Sequence, residues 1–307
     1  MKVKQLLIMA IIAQTVSAQA AVDVFMVFKK VGIPLEVLHS VTGLQSRDIA
    51  TGLSTGKRQY QPMSCLYSLE TGGGFLQSCI TSTIAQHGSD ALMSVHRCTS
   101  SSSATPLVGG GLDYSLLTRG VSSVTFPALV TASKSAGQTE TDVDCDGLSF
   151  LGYQTISPSE STSISSEKAW LCSNFKLDIN GITSSSTLGA SPGVSRIEPF
   201  TIKPVFSPGG SGVYFTFQKI EMSVTAADAQ QYFGWFLNVL SGLPDARTCK
   251  LTLTHNDGSL LCAMQMQVQI DTFGSTDVFA LNGSPLYKVV LTPVSSVEVM
   301  SFSWGSN

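Results

Sequence analysis

The sharpest run of chemistry-bearing residues is Asp142-Val143-Asp144-Cys145-Asp146-Gly147. Three carboxylates at alternate positions before a turn glycine match the first half of a calcium loop, where hard oxygen ligands surround one cation. Asp142, Asp144 and Asp146 are therefore the candidate metal ligands, and calcium is the expected ion. A helical calcium loop also needs a bidentate Glu at its twelfth position, where this chain has Tyr153. The flank beyond Gly147 patterns as strand. The segment is expected to be an incomplete, loop-type calcium site or a solvated acidic turn.

Other patterns fall short of their chemistry. Gly52 to Arg58 imitates a phosphate loop, but three residues separate the glycines and Arg58 follows Lys57 where a hydroxyl is needed. Ser211 lies in Gly209-Gly210-Ser211-Gly212, and Val213 occupies the place of the last glycine of a nucleophile elbow. The histidines His39, His87, His96 and His255 form no HExxH pattern. Asn282-Gly283-Ser284 is a formal glycosylation acceptor that reads better as a turn before a strand. No catalytic constellation assembles at recognisable spacing, so the expectation is no enzyme and no cofactor beyond calcium.

The seven cysteines are Cys65, Cys79, Cys98, Cys145, Cys172, Cys249 and Cys262. No CxxC or Cys/His grouping has zinc spacing. Cys249 and Cys262 lie on the two arms of one expected hairpin, where a disulfide would cross-link it. The odd total leaves one thiol unpaired or shared between subunits.

Composition narrows the class. Residues 1–20 read as a secretory signal: Lys2 and Lys4, an apolar core from Leu6 to Ala13, then small residues around Ala18 and Ala20. That core is too short to span a bilayer, and no second long apolar run follows. The mature protein is expected to be secreted, extracellular or periplasmic, without membrane insertion. Net charge is −3 and charged residues make up 13%. With basic residues clustered no further than pairs such as Lys57-Arg58, nucleic-acid binding has little electrostatic support.

The elements that must position these residues are mostly strands. Val213 to Met222 alternates and is rich in β-formers. Thr225 caps a helix, with Asp228 three residues on. Tyr232, Trp235, Phe236, Val239 and Leu240 give that helix one apolar face. Gly242 stops it and Pro244 prevents resumption. A hairpin from Cys249 to Ile270 turns at Asn256-Asp257-Gly258, and Leu286 to Val297 supplies a last strand. The first half offers the same order in fainter form. It has strands over Val22–Val31, Leu35–Val41 and Gln61–Leu69, then Gly72-Gly73-Gly74 leading into a helix over Phe75–Gln86. Strands over Asp90–Cys98, Leu112–Leu129 and Ser149–Ile156 follow. The polar stretch Ser157 to Lys168 reads as a boundary. The expected organisation is a signal over 1–20 and two β domains of one type, 21–160 and 161–307. An unrelated β domain in the first half is the competing reading.

Several of these segments resemble the tail-tube proteins of contractile phages and the Hcp tube protein of type VI secretion. They are Phe215-Thr216-Phe217-Gln218-Lys219-Ile220-Glu221, the helix Tyr232 to Gly242, the hairpin Leu251 to Gly258, and Asn174 to Ile182 as the opening strand. Ser54-Thr55-Gly56-Lys57-Arg58-Gln59-Tyr60-Gln61-Pro62 resembles a segment of secreted Hcp-like proteins and extends the likeness to the first half. The resemblance implies mainly β with α: two tandem tube-like β-barrel or sandwich domains, each with one packed helix. It further implies sheet edges that sister copies cover, rings of commonly sixfold symmetry, and head-to-tail stacking. A tandem chain would then complete a pseudo-sixfold ring as a trimer. The family's tubes assemble in the cytoplasm, so a signal peptide points to a secreted variant. The alternative is a secreted monomeric β-rich module that binds a ligand or a surface.

Overall fold

The computed structural model describes residues 24–29, 36–38, 40–42, 46–48, 58–60, 62–86, 91–99, 111–154, 169–182, 193–207, 212–279, 285–294 and 300–305. Among the described residues the chain is mainly β with two helices, in curled antiparallel sheets. Its first half runs β1 (Val24–Lys29), β2 (Glu36–Leu38), β3 (Ser40–Thr42), β4 (Ser46–Asp48), β5 (Arg58–Tyr60), β6 (Met63–Tyr67) and α1 (Leu69–Gln86). It continues with β7 (Ala91–Thr99), β8 (Gly111–Phe126), β9 (Leu129–Val130), β10 (Ala136–Gly137) and β11 (Thr139–Gln154). The second half runs β12 (Trp170–Leu171), β13 (Phe175–Ile179), β14 (Val194–Ile197), β15 (Phe200–Phe206), β16 (Val213–Phe217), β17 (Ile220–Thr225) and α2 (Ala226–Leu240). Last come β18 (Arg247–Thr254), β19 (Leu260–Phe279), β20 (Pro285–Pro293) and β21 (Ser301–Trp304).

Strand order repeats between the halves. One sheet reads β1-β7-β8-β11-β6-β3, the other β13-β18-β19-β20-β17-β14. Each places the strand before its helix next to the strand that ends the motif. Each also sends out a hairpin before that strand, β4–β5 in one half and β15–β16 in the other. The strands form because apolar residues alternate. Met63, Cys65 and Tyr67 point inward on β6, and Ile220, Met222 and Val224 do so on β17. One continuous core joins the halves, running from Tyr67, Leu76 and Phe126 to Phe215, Tyr232 and Trp235.

The position 160/161 divides the chain but not its sheets. β15, from the second half, pairs with β8, and β9, from the first half, pairs with β14. β10 likewise pairs with β12 across that position. The expected linker 157–168 lies outside the described residues, as do the signal 1–20, the phosphate-loop lookalike 51–57, Ser211 and the Asn282 acceptor.

Local signals held in the second half. Thr225 occupies the N-cap of α2, although its hydroxyl reaches the Asp228 carboxylate at 3.4 Å rather than a backbone N–H. Gly242 adopts φ +76, and the Gly242 and Leu243 N–H groups close on the Val239 and Asn238 carbonyls. This left-handed stop is what glycine supplies. Gly258, at φ +86, turns the β18–β19 hairpin.

In the first half the helix starts earlier than its apolar spacing suggests. Gly72, Gly73 and Gly74 lie inside α1. A side chain at Gly72 would run into the Tyr67 ring, so this glycine permits close approach of helix and strand.

Candidate self-association surface

Strand pairing between the halves builds a junction with a defined register. The amino-terminal part of β8 pairs with β7, from Leu112↔Arg97 to Thr118↔Ala91. Past the start of β7, β15 takes over on β8, with Phe200↔Phe126, Thr201↔Thr125 and Ile202↔Val124. Thr125 and Thr201 hydroxyls meet at 2.9 Å. The Phe126 and Phe200 rings stack at 4.9 Å with 17° between their planes. Beside this contact β9 covers the outer side of β14, and the Thr131 N–H donates to the Ser195 carbonyl at 3.1 Å.

A polar clasp closes the other side. The Trp170 indole N–H donates to the Thr254 carbonyl at 2.9 Å, and its backbone N–H donates to the Ser68 hydroxyl at 3.0 Å. Glu70 Oε2 accepts the Asn256 backbone N–H at 2.9 Å and lies 3.6 Å from His255 Nδ1. Burying these groups is tolerable because each has its partner.

The equivalent positions at the far ends carry no such cover among the described residues. β19 pairs with β18 only up to Val268 on one side, while β20 continues on the other side as far as Phe279. From Gln269 to Ser275 the β18 side of β19 has no strand partner among the described residues. Gln269, Asp271, Thr272 and Ser275 are exposed there. β3 pairs with β6 and has no strand on its other side among the described residues, whereas its counterpart β14 has β9. Among the described residues the β4–β5 hairpin pairs with itself alone, whereas its counterpart β15–β16 adds to β8. Uncovered edges of this kind present unpaired backbone donors and acceptors to any further strand.

Helix α2 adds an apolar ridge. Its buried face is Asp228, Ala229, Tyr232 and Trp235, with Phe236 and Val239 packed partly against the core. Leu240, expected on that face, is 65% exposed. It lines up with Phe233 and Leu237 on the outer side, and Leu243 continues the patch. The spacing of Leu240 fits either side of the stripe, and the stripe turns toward Trp235. Trp235 is fixed by its indole N–H, which donates to the Asp245 carbonyl at 2.7 Å, and by the Arg247 guanidinium 4.7 Å from its ring centre.

Asp142, Asp144 and Asp146 lie along strand β11, not in a turn. Val143 points inward while Asp142 is half-buried and Asp144 exposed. Asp142 accepts a hydrogen bond from the Ser123 hydroxyl at 2.7 Å. Alternate residues of a strand sit about 6.6 Å apart, so β11 spaces these three backbone positions along its length. Irregularities after Asp142, Asp144 and Cys145 interrupt the ladder there. Among the described residues no group of three His, Cys, Asp or Glu side chains is arranged to hold a metal ion.

The cysteine expectation also changes. Cys249 lies opposite Met266 and Cys262 opposite Leu253, four positions apart along the ladder, and both thiols are free and buried. The tight turn at Asp257-Gly258 sets that register and keeps the sulfurs apart. Burial pushes each thiol up to about 12, so both stay protonated at neutral pH. Cys65, Cys79 and Cys172 are buried as well. His96 lies on β7.

Charge on this surface is paired locally. Glu221 accepts hydrogen bonds from Lys219 and, at 2.7 Å, from Lys288, which hold its carboxyl below the usual range. Among the described residues no helix is long and apolar enough to cross a membrane. No family model matches the chain, and no curated protein matches it.

Proposed function

We propose that this chain is a secreted structural protein whose copies join edge to edge into rings that stack as a tube or filament. The carrying observation is the addition of β15 to β8, where one half of the chain already completes the sheet of the other. The same strand order at both ends leaves one edge and one hairpin without that completion among the described residues. The tube-family resemblance, the apparent signal over 1–20 and the low charge agree with a wall-building role outside the cytoplasm. The partner is the chain itself, and a trimer would make a pseudo-sixfold ring.

The exposed Phe233, Leu237 and Leu240 favour a second reading, a secreted monomeric module that docks on a surface or ligand. Mass photometry and negative-stain imaging of the mature protein separate the two. Multiples of the chain mass with ring-shaped particles are the expected result. A strict monomer at high concentration overturns assembly and leaves the docking module.

A further inference from the structure

We infer that the outer ridge of α2, formed by Phe233, Leu237 and Leu240, is the face that the first half of a second copy of this chain covers. This rests on the self-association proposed above and gives it a surface. The two halves lie in step. Tyr67 and Val224 are the last buried positions of β6 and β17, and they face Thr139 and Tyr287. By Val143 and Leu291, each four residues beyond those partners, both ladders have skipped one residue, Ser122 on β8 and Asp271 on β19. By the same count Phe126 corresponds to Ser275.

The helices keep this step on one side and part on the other. Counted from Tyr67 and Val224, Gly72 matches Ala229 and Phe75 matches Tyr232, and all four are buried. Leu76 and Ile80 are also fully buried, whereas their counterparts Phe233 and Leu237 are 44% and 45% exposed. Thr83 is buried and its hydroxyl accepts the Val121 N–H at 2.9 Å, whereas its counterpart Leu240 is exposed. The cover on α1 comes from the second half. Gly73 shares a side of the helix with Leu76 and Ile80, and a Cβ there would stand 3.5 Å from Leu261 of β19. Along its length α1 packs on β16 and β19. Among the described residues the main strands against α2 are β17, β19 and β20, all of its own half. The second half thus covers α1, and the matching cover for α2 is the first half of another copy.

The chemistry of the ridge selects that partner. From Ala226 to Pro244 the one charged residue is Asp228, which is buried. Such a face gives a phosphate backbone nothing to pair with. A helix that lies on a membrane carries Lys and Arg on its polar side, and α2 has neither. A chain with 13% charged residues can offer a neutral surface to match. The ridge also runs on into β19, because the Phe233 ring lies 5.4 Å from that of Phe273. Phe273 belongs to the stretch of β19 that lacks a strand on its β18 side among the described residues. A covering copy reaches ridge and strand together, as the second half does on α1 and β8.

The test uses the full chain. Leu237→Glu/Leu240→Lys places charge on the ridge and is expected to lower the multimer fraction in mass photometry at least fivefold, with the thermal melt of the parent. Phe206→Lys alters an exposed apolar residue elsewhere, on β15, and is expected to leave the multimers intact. Leu240→Cys is labelled with a maleimide and read by intact mass, with the label taken by the parent's own cysteines subtracted. Labelling is expected to slow at least fivefold between dilute and concentrated protein. Multimers that persist in the double variant, or labelling that does not slow, overturn the ridge as the interface and leave self-association standing. An equal loss of multimers in Phe206→Lys also overturns it, because general stickiness then accounts for the loss. If the double variant melts below the parent, the labelling alone decides. Monomers in every sample overturn both proposals.

Discussion

The junction within the chain and the edge at its far end differ, among the described residues, in the presence of a pairing strand. Val124 and Phe126 of β8 are buried beneath β15, and Thr125 is half-covered. On β19, the counterpart Ser275 is exposed, and Phe273 instead stacks within a ring cluster with Phe233, Phe236 and Tyr287. β8 has its sheet extended by β15 from the same chain, and among the described residues β19 has no such extension. The β8–β15 pairing thus shows what an added strand covers at such a position.

The largest effects should come from breaking the core that the halves share. Tyr67→Ala and Trp235→Ala each remove a fully buried ring and are expected to cost about 3–5 kcal/mol. Both should lower one common transition in a denaturant melt followed by circular dichroism. Two separate transitions, each sensitive to one substitution, would show that the halves unfold independently.

The two helices offer a comparison of opposite sign. Gly72→Ala presses a methyl group into the Tyr67 ring and is expected to destabilise by about 1–3 kcal/mol. Gly234→Ala in α2 meets open space and is expected to stabilise by about 0.5–1 kcal/mol, because alanine is the better helix former. Thermal melts of the two variants check the contrast, and shifts of the same sign would break it.

The smallest effect concerns Asp245, which accepts two hydrogen bonds from Arg247 and one from Asn238. Arg247 is the main cause holding its carboxyl below the usual range. A carboxyl lowered by folding contributes stability above its unfolded value of about 3.9 and loses it as pH falls through the lower folded value. Asp245→Asn is expected to cost at most about 1 kcal/mol at pH 7, given its partial exposure. Stability curves of the variant and parent should converge below about pH 3; a constant gap would point to lost packing instead.

Much of the second half was legible because its signals are local. Alternation in Val213 to Met222, the Thr225 cap, Gly242 and the Asp257-Gly258 turn each act within a few residues. The turn expected at the acidic run gave way to strand for the opposite reason. Asp142 to Gly147 has turn composition, yet β6 pairs with β11 as far as Val143 and β8 pairs along the rest, which draws that stretch into a strand. Tertiary pairing overrides β-propensity in this way. Leu240 went astray because two helix faces differ by one residue of phase. The β15–β8 pairing had no local signal, since its partners lie about 76 positions apart. Its one trace in the sequence was the faint repeat of strand order, which puts a hairpin before each helix-leading strand.

The order of synthesis gives the clasp between the halves a further meaning. Thr131 and Ser195 are 64 positions apart, and the earlier of the two leaves the ribosome first. Until β14 and β15 follow, β9 has no sheet to lie on and the end of β8 stands bare. The nascent chain therefore passes through an interval in which its early strands present unpaired edges that later residues will cover. A holding factor, or simply rapid elongation through residue 206, would matter most in that interval.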